Sequence, residues 1–438
     1  MGTLNLGGTG DVGRNMFFAT LSHVAIPASG LITAPILAQN LGVDGRGELA
    51  AATAPLLLFA IVFSMGIPDA ATYWIAKNAG NVAAVLKRAA LLVMISGASA
   101  TLVTFILAPW LSAGSAPLAA LICAGALATT PTILVAVLRS VAAGLHRWSI
   151  VNRERYVTAF VRFAIIVVAA LLDLLSLELA IIAIAISPVV GGLPYLRLVA
   201  VTRSIREPSR VVRSRSLVGF GGRVWIGSLA GVLLSRVDQI LITPLAGTVQ
   251  LGLYVAAVNV ADATLMANNA VREITFSTDA ATNDNARTAK MARLSFLVSL
   301  CIGLALAISL PLWLPVLFGP DFAGAVPVAW LLIAASVLGV PGSIAGASLA
   351  ARNNPGLRSS SLVIAVVVNI VLVILLVPSW GAVGAAVATL VGNLVSANLN
   401  IMHLYRLHGV APTTLYLIKV SDLRVLILSS WKILAGRR

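Results

Sequence analysis

Charge is what this sequence has least of. Only 10% of its 438 residues are Asp, Glu, Lys or Arg, whereas a soluble globular domain carries about 25%. There is too little polar side chain to coat a water-soluble body, and too much apolar residue for a disordered chain. Cysteine is nearly absent. Cys123 and Cys301 both sit inside apolar runs, which excludes a disulfide scaffold and reads as small buried hydrophobes. The four histidines, His23, His146, His403 and His408, lack metal-ligand spacing. No G-x-x-x-x-G-K-[ST] loop occurs, so direct use of ATP is excluded. No Ser/His/Asp grouping suggests catalysis. Neither an enzyme nor a cofactor is expected.

What is abundant is hydrophobicity. Apolar residues make up 59% of the chain, and the mean hydropathy is +0.99. A spanning helix needs about 20 mostly apolar residues. About twelve such runs occur, near 17–38, 49–70, 89–111, 118–138, 157–173, 177–197, 219–242, 251–271, 294–317, 325–350, 362–378 and 383–405. None alternates with period two, which excludes a membrane β-barrel. The first fifteen residues are Gly-rich and polar, and the run from Phe17 is longer than a signal h-region, so no cleaved leader is expected. The expectation is an all-α polytopic membrane protein.

Basic residues outnumber acidic ones by 30 to 15. They cluster in alternate connections: 77–88, 139–155, 197–223, 272–293, 352–358 and 406–438. The intervening set of connections holds only Arg46. Basic loops remain cytoplasmic, which puts both termini inside and predicts contact with anionic membrane lipid rather than nucleic acid. The tail from Pro412 mixes Leu, Ile and Val with Lys419, Arg424 and Lys432 and reads as an interfacial amphipathic helix.

A shift of about 205 residues superposes the runs and the basic loops. The expected organisation is residues 1–215 and 216–411 as two six-helix bundles, followed by a tail over 412–438. Six is even, so the halves share an orientation and should be related by a pseudo-twofold along the membrane normal.

Four stretches, in order, resemble one family. Leu37-Ala38-Gln39-Asn40-Leu41-Gly42-Val43-Asp44-Gly45-Arg46-Gly47-Glu48-Leu49 follows the first run. Arg236-Val237-Asp238-Gln239-Ile240-Leu241-Ile242 leads to Leu251-Gly252-Leu253-Tyr254-Val255-Ala256-Ala257. Leu317-Phe318-Gly319-Pro320-Asp321-Phe322 and Gly381-Ala382-Val383-Gly384-Ala385-Ala386 complete the set. Together they resemble the polysaccharide flippases of the multidrug/oligosaccharidyl-lipid/polysaccharide exporter superfamily.

The resemblance implies two bundles forming a V around a central cavity, working by alternating access in a bacterial inner membrane. The implied substrate is an undecaprenyl-pyrophosphate-linked oligosaccharide. A polysaccharide polymerase and glycosyltransferases are the implied partners. Two departures stand out. Gln39 occupies the family's usual Arg. The first helix carries Ser22, His23, Pro27 and Thr33 where lipid II flippases carry arginines, which favours an exported polysaccharide precursor over lipid II. A cation-coupled drug antiporter of the same superfamily is the alternative.

Ionisable residues within spans are costly and therefore functional candidates. Arg236 either faces the cavity and binds pyrophosphate, with Asp238 holding it, or belongs to a structural ion pair. Asp262 and Asn259 share a helix face and either line the cavity or pack between helices. Asp69 and Asp262 are candidates for coupling to an ion. Arg14 stands at the entrance of the first helix, His23 lies within it, and Arg46 is an outer-loop base able to attract or release a headgroup. Arg162 snorkels to the inner interface or serves the cavity, and Arg272 marks the inner rim. Pro27 and Pro35 are expected to bend the first helix. Gly221 and Gly222 are expected to slim the seventh. These two helices are the expected gates.

Overall fold

A computed structural model describes residues 9–77, 82–202, 214–417, 419 and 422, with side chains from residue 29 onward apart from a few helical positions. All described secondary structure is helical. In chain order the helices are α1 (Thr9–Ser64), α2 (Ile67–Lys77), α3 (Val82–Leu111), α4 (Ala116–Ala126), α5 (Thr129–Gly144), α6 (Trp148–Leu171), α7 (Leu177–Gly191), α8 (Pro194–Thr202), α9 (Ser214–Ala246), α10 (Thr248–Thr282), α11 (Asn285–Phe318), α12 (Ala325–Ala351), α13 (Pro355–His408) and α14 (Pro412–Tyr416).

Every apolar run falls in a helix or a close succession of two. α1 and α13 each carry two runs, because a single glycine breaks each of them. These are Gly42 (φ 68°, ψ −176°) and Gly381 (φ 53°, ψ −131°). α13 is a hairpin. A Cβ on Gly392 in its second limb would lie 3.1 Å from Asn369 Cβ in its first, and Ser361 lies 3.4 Å from His403 Nδ1. The Gln250 side chain accepts from Ala382 N at 2.9 Å, capping the restart of the second limb.

Three runs of the N-terminal half are interrupted where the sequence suggested continuity. The breaks fall at Met65–Gly66, Leu127–Ala128 and Gly192–Leu193. Each restart has a proline in its first turn (Pro68, Pro131 and Pro194), where the missing N–H costs no intrahelical bond. Polar side chains cap the starts of α7 and α11. Ser176 accepts from Leu179 N, and Asp284 accepts from Ala286 N and Arg287 N. Pro35, by contrast, leaves the helical φ/ψ of α1 intact.

The large apolar side chains are distributed for lipid. Ile308, Leu312 and Leu171 remain 77%, 78% and 78% exposed, the inverse of a soluble core. Interiors are instead packed with small residues. Gly342 of α12 abuts the backbone of Ala397 in α13, and Gly346 abuts Asn400, the close approach that membrane helices use. Nine helices or joined pairs among the described residues are long and apolar enough to cross a membrane. The chain is a multi-pass helical membrane protein.

It divides into two compact units, Met1–Leu229 and Ala230–Arg438, with the boundary inside α9. The first half of α9 belongs to the N-terminal unit. There Trp225 Nε1 donates to Ile61 O at 3.1 Å, and Phe220 stacks on Tyr73 at 4.3 Å and 15°.

The backbone also carries the internal repeat. Gly42 and Gly247, 205 residues apart, share a rare extended conformation with positive φ (68° and 87°). Gly114 and Gly319 show the same offset, with φ 83° and 111°. His146 pairs with Asn353 (φ 56° and 63°), and Asp173 with Gly381 (φ 54° and 53°). A positive φ is uncommon outside special turns. Four matched pairs in the same order therefore mark corresponding interhelical turns.

Beyond α13 the tail forms only the five-residue α14 before Lys419 and Asp422. Arg293 of α11 holds it. Arg293 Nε donates to Asp422 Oδ2 at 2.6 Å and Nη1 to Thr414 O at 2.8 Å. Residues 423–438, which include Arg424 and Lys432, lie outside the described residues.

Candidate functional site

The C-terminal unit contains a polar cavity of about 240 Å³. One stripe of α10 lines it: Tyr254, Val258, Ala261, Asp262, Leu265, Asn268 and Arg272. The three-and-four spacing keeps these residues on one helix face. From Tyr254 to Arg272 the stripe covers ~27 Å at the rise of an α-helix, most of a bilayer's hydrocarbon thickness. The opposing walls supply Ser336 and Ser343 from α12, and Arg358, Thr389, Asn393 and Asn400 from α13.

At the end near the Asn353 turn, Arg272 and Arg358 both line the cavity, close enough to repel one another. Neither has a hydrogen-bond or ion-pair partner among the described residues. Asn400 Nδ2 is spent on Gly342 O at 3.3 Å, but its buried Oδ1 is unpartnered. Asn268 is engaged by its neighbours, donating to Ser343 Oγ and accepting from Ser295 Oγ. Two uncompensated guanidinium groups in a polar hollow favour an oxyanion, because the guanidinium fork matches phosphate and carboxylate oxygens.

At the other end the polar groups are tied together. Asp238 of α9 is buried. Its Oδ2 accepts from the Tyr254 hydroxyl and from Thr389 Oγ1 at 3.0 Å, and its Oδ1 accepts from Gln239 N at 2.7 Å. The carboxylate thus clamps α10 and the second limb of α13 to α9 from behind the cavity wall. Arg236 turns elsewhere. It donates to Asp262 Oδ2 at 3.1 Å, with the two side chains 45% and 44% exposed.

Several expectations change. Asp238 does not hold Arg236, because two residues along a helix point to different sides; Asp262 holds it instead. Asp262 lines the cavity, but Asn259 does not, and its buried Nδ2 has no partner. Arg46 is not a loop residue: the helix restarts directly after Gly42, and Arg46 is only 8% exposed inside it. Arg162 lies well inside α6, with its Nε buried and without a partner among the described residues. Asp69 stands exposed in the first turn of α2. Gly221 packs against Gly66, whereas a Cβ on Gly222 would meet open space. Arg14, His23 and Pro27 fall within α1, and their side chains lie outside the described residues. Sequence reasoning passed over Arg358, Asn393 and Thr389. Arg358 sits beside Pro355 in a basic connection and reads there as an orientation signal.

This arrangement defines a polytopic helical transporter-type protein with a cationic, hydrogen-bonding cavity. Residues 12–272 match the family model described as polysaccharide biosynthesis protein, and the chain belongs to that family. A curated relative, the "Probable low-salt glycan biosynthesis flippase Agl15" of Haloferax volcanii, is 28% identical over 211 residues. That match covers 47% of this chain and 44% of the relative, so the chain matches less than half of its length.

The fold is that of the MOP superfamily. The lipid II flippase MurJ in an inward closed conformation aligns with a TM-score of 0.70 at 12% identity, over 89% of this chain and 87% of that one. An inward-facing multidrug resistance MATE family transporter aligns at 0.66 and 15% identity, over 88% and 97%.

Proposed function

We propose that this protein is a flippase for a lipid-linked oligosaccharide. In this reading it carries an undecaprenyl-pyrophosphate-linked saccharide from the inner to the outer leaflet of a bacterial cytoplasmic membrane, for cell-surface polysaccharide assembly. Both termini are cytoplasmic. Alternating access of the two units moves the headgroup while the polyprenyl chain stays in lipid. The polymerase and glycosyltransferases act on the substrate after and before it.

The Arg272–Arg358 couple, without a partner among the described residues and set in a cavity rich in amides and hydroxyls, supports this reading. The arginines match a pyrophosphate, and the Asn and Ser side chains match sugar hydroxyls. Placed at the basic-loop ends of their helices, the arginines would meet a substrate loaded from the cytoplasm. The antiporter alternative wants a free carboxylate for an organic cation. Asp262, which lines this cavity, is already neutralised by Arg236.

The test is depletion in the native cell with leaflet-resolved analysis of the carrier lipid. Sugar-loaded carrier should accumulate in the inner leaflet, and Arg272→Gln/Arg358→Gln should reproduce the defect. Unchanged arrival in the outer leaflet on depletion overturns the reading.

A further inference from the structure

The N-terminal unit holds a second pair of arginines with no counter-charge among the described residues. Arg46 lies in the first turn after Gly42, and Arg162 lies in α6, which packs against α1. Both Nε atoms are buried and unsatisfied. Neither guanidinium makes a hydrogen bond or ion pair to a described residue, and the two are close enough to repel each other. Among the described residues, Asp44 and Glu178 lie close enough to act on Glu48, and no acid acts on Arg46 or Arg162. A buried charge without a partner is strongly unfavourable, and two adjacent like charges are more so. Unsatisfied buried donors in a native fold call for a missing partner.

Position adds meaning. Arg46 is four residues from the Gly42 turn, and Arg162 is nine from the end of α6 at Leu171, about 6 and 13 Å along their helices. Both therefore lie toward the connections that are almost free of basic residues. Arg272 and Arg358 lie at the basic-loop ends of theirs.

We propose that Arg46 and Arg162 form a second oxyanion site, selective for phosphate-type dianions, near the outer face of the N-terminal unit. In the flippase reading, on which this role rests, Arg272 and Arg358 receive the pyrophosphate on the cytoplasmic side. Arg46 and Arg162 then hold it before release on the far side. The like-charged pair also gives the site a reason to favour a transient anion, since occupancy relieves a repulsion built into the fold.

The experiment uses the full chain in nanodiscs of zwitterionic lipid, with inorganic pyrophosphate as the probe and chloride as the control. The Arg272→Gln/Arg358→Gln background removes the first site. In that background pyrophosphate should still raise the thermal midpoint, and adding Arg46→Gln/Arg162→Gln should abolish the shift. Without anion the Arg46→Gln/Arg162→Gln protein should unfold at a temperature equal to or above that of its parent, because a repulsion is gone. Arg46→Lys/Arg162→Lys keeps the charge but loses the fork, and should retain only a weakened shift.

In the Arg272→Gln/Arg358→Gln background, a shift that survives the addition of Arg46→Gln/Arg162→Gln, or the lack of any shift before that addition, overturns the proposal. Replacing part of the lipid with phosphatidic acid separates a headgroup from a free anion: if the lipid is the natural occupant, the pyrophosphate shift should shrink in proportion. These readings require no transport. Failure of the flippase reading would thus leave the site standing, and failure of the site would leave the flippase reading to its own assay.

Discussion

The hydroxyl of Tyr254 donates to the buried carboxylate of Asp238, sixteen residues earlier and on the neighbouring helix. Thr389 donates to the same oxygen from a third helix. Asp238 therefore acts on the cavity through Tyr254 and Thr389, which line it, without facing it. Tyr254→Phe removes one donor from a buried carboxylate and should cost about 1–3 kcal/mol. Asp238→Asn should cost a similar amount, because one amide oxygen cannot serve donors on both sides. The double variant should be little worse than either single one, since all three describe one network. Denaturant unfolding in detergent, set out as a double-mutant cycle, checks this; strictly additive losses would contradict it.

The Arg236–Asp262 pair is of another kind. Both side chains are half exposed, and such pairs are worth about 0–1 kcal/mol. Arg236→Gln should leave insertion and thermal stability nearly unchanged. Transport of the saccharide carrier should fall roughly tenfold, the factor that about 1.4 kcal/mol represents, because the Asp262 carboxylate then faces an anionic substrate unopposed. Asp262→Asn added to Arg236→Gln should recover part of the loss. The assay is export in cells expressing each variant at matched levels.

Much of the architecture was legible in the sequence, because length and hydropathy alone determine what can span a bilayer. The repeat was legible as a register of apolar runs, and its imprint reappears in Gly42 and Gly247, Gly114 and Gly319. The site was less so. The Arg236, Asp238 and Tyr254 motif named the right neighbourhood, but spacing along one helix could not say that Asp238 turns to Tyr254 while Arg236 turns to Asp262. Arg358 looked like one more basic loop residue, because charge patterning records which side a residue is on and nothing of what it faces. Arg46 was misread for a related reason: a glycine-rich stretch suggests a loop, yet Gly42 alone makes the turn and the helix resumes at once.

Gly221 and Gly222 separate two meanings of a glycine pair. A Cβ on Gly221 would lie 2.7 Å from Gly66 O and 2.9 Å from Met65 O, while one on Gly222 would touch nothing within 4 Å. Backbone cannot yield as a flexible side chain does, so Gly221→Ala should cost about 1–3 kcal/mol by overpacking. Gly222→Ala should be neutral or slightly stabilising, since alanine is the better helix former. Thermal midpoints of the two purified variants decide. Equal losses would mean that helix flexibility, and not the approach of α9 to the Gly66 turn, is what the pair provides.

The tail attachment should depend on pH with a definite sign. Arg293 donates to Asp422, and the two side chains are 7% and 2% exposed. That hydrogen bond, helped by the Lys419 amide and the charges of Arg293 and Lys290, holds the Asp422 carboxyl below the usual carboxylate range, against the opposing effect of burial. A carboxyl whose folded value is depressed stabilises the fold fully above its unfolded value of about 3.9, and loses that contribution as the pH falls through the folded value. Docking of α14 should therefore be flat from pH 8 to 5 and weaken below about 4. Asp422→Asn should remove this response. It should also loosen the tail at neutral pH, by leaving Arg293 buried with only the Thr414 carbonyl. Hydrogen exchange of the Thr413–Leu417 amides across this range reads both effects. Protection that rises on acidification, or a variant with the wild-type profile, would show that Leu415 and its apolar contacts hold the tail without the ion pair.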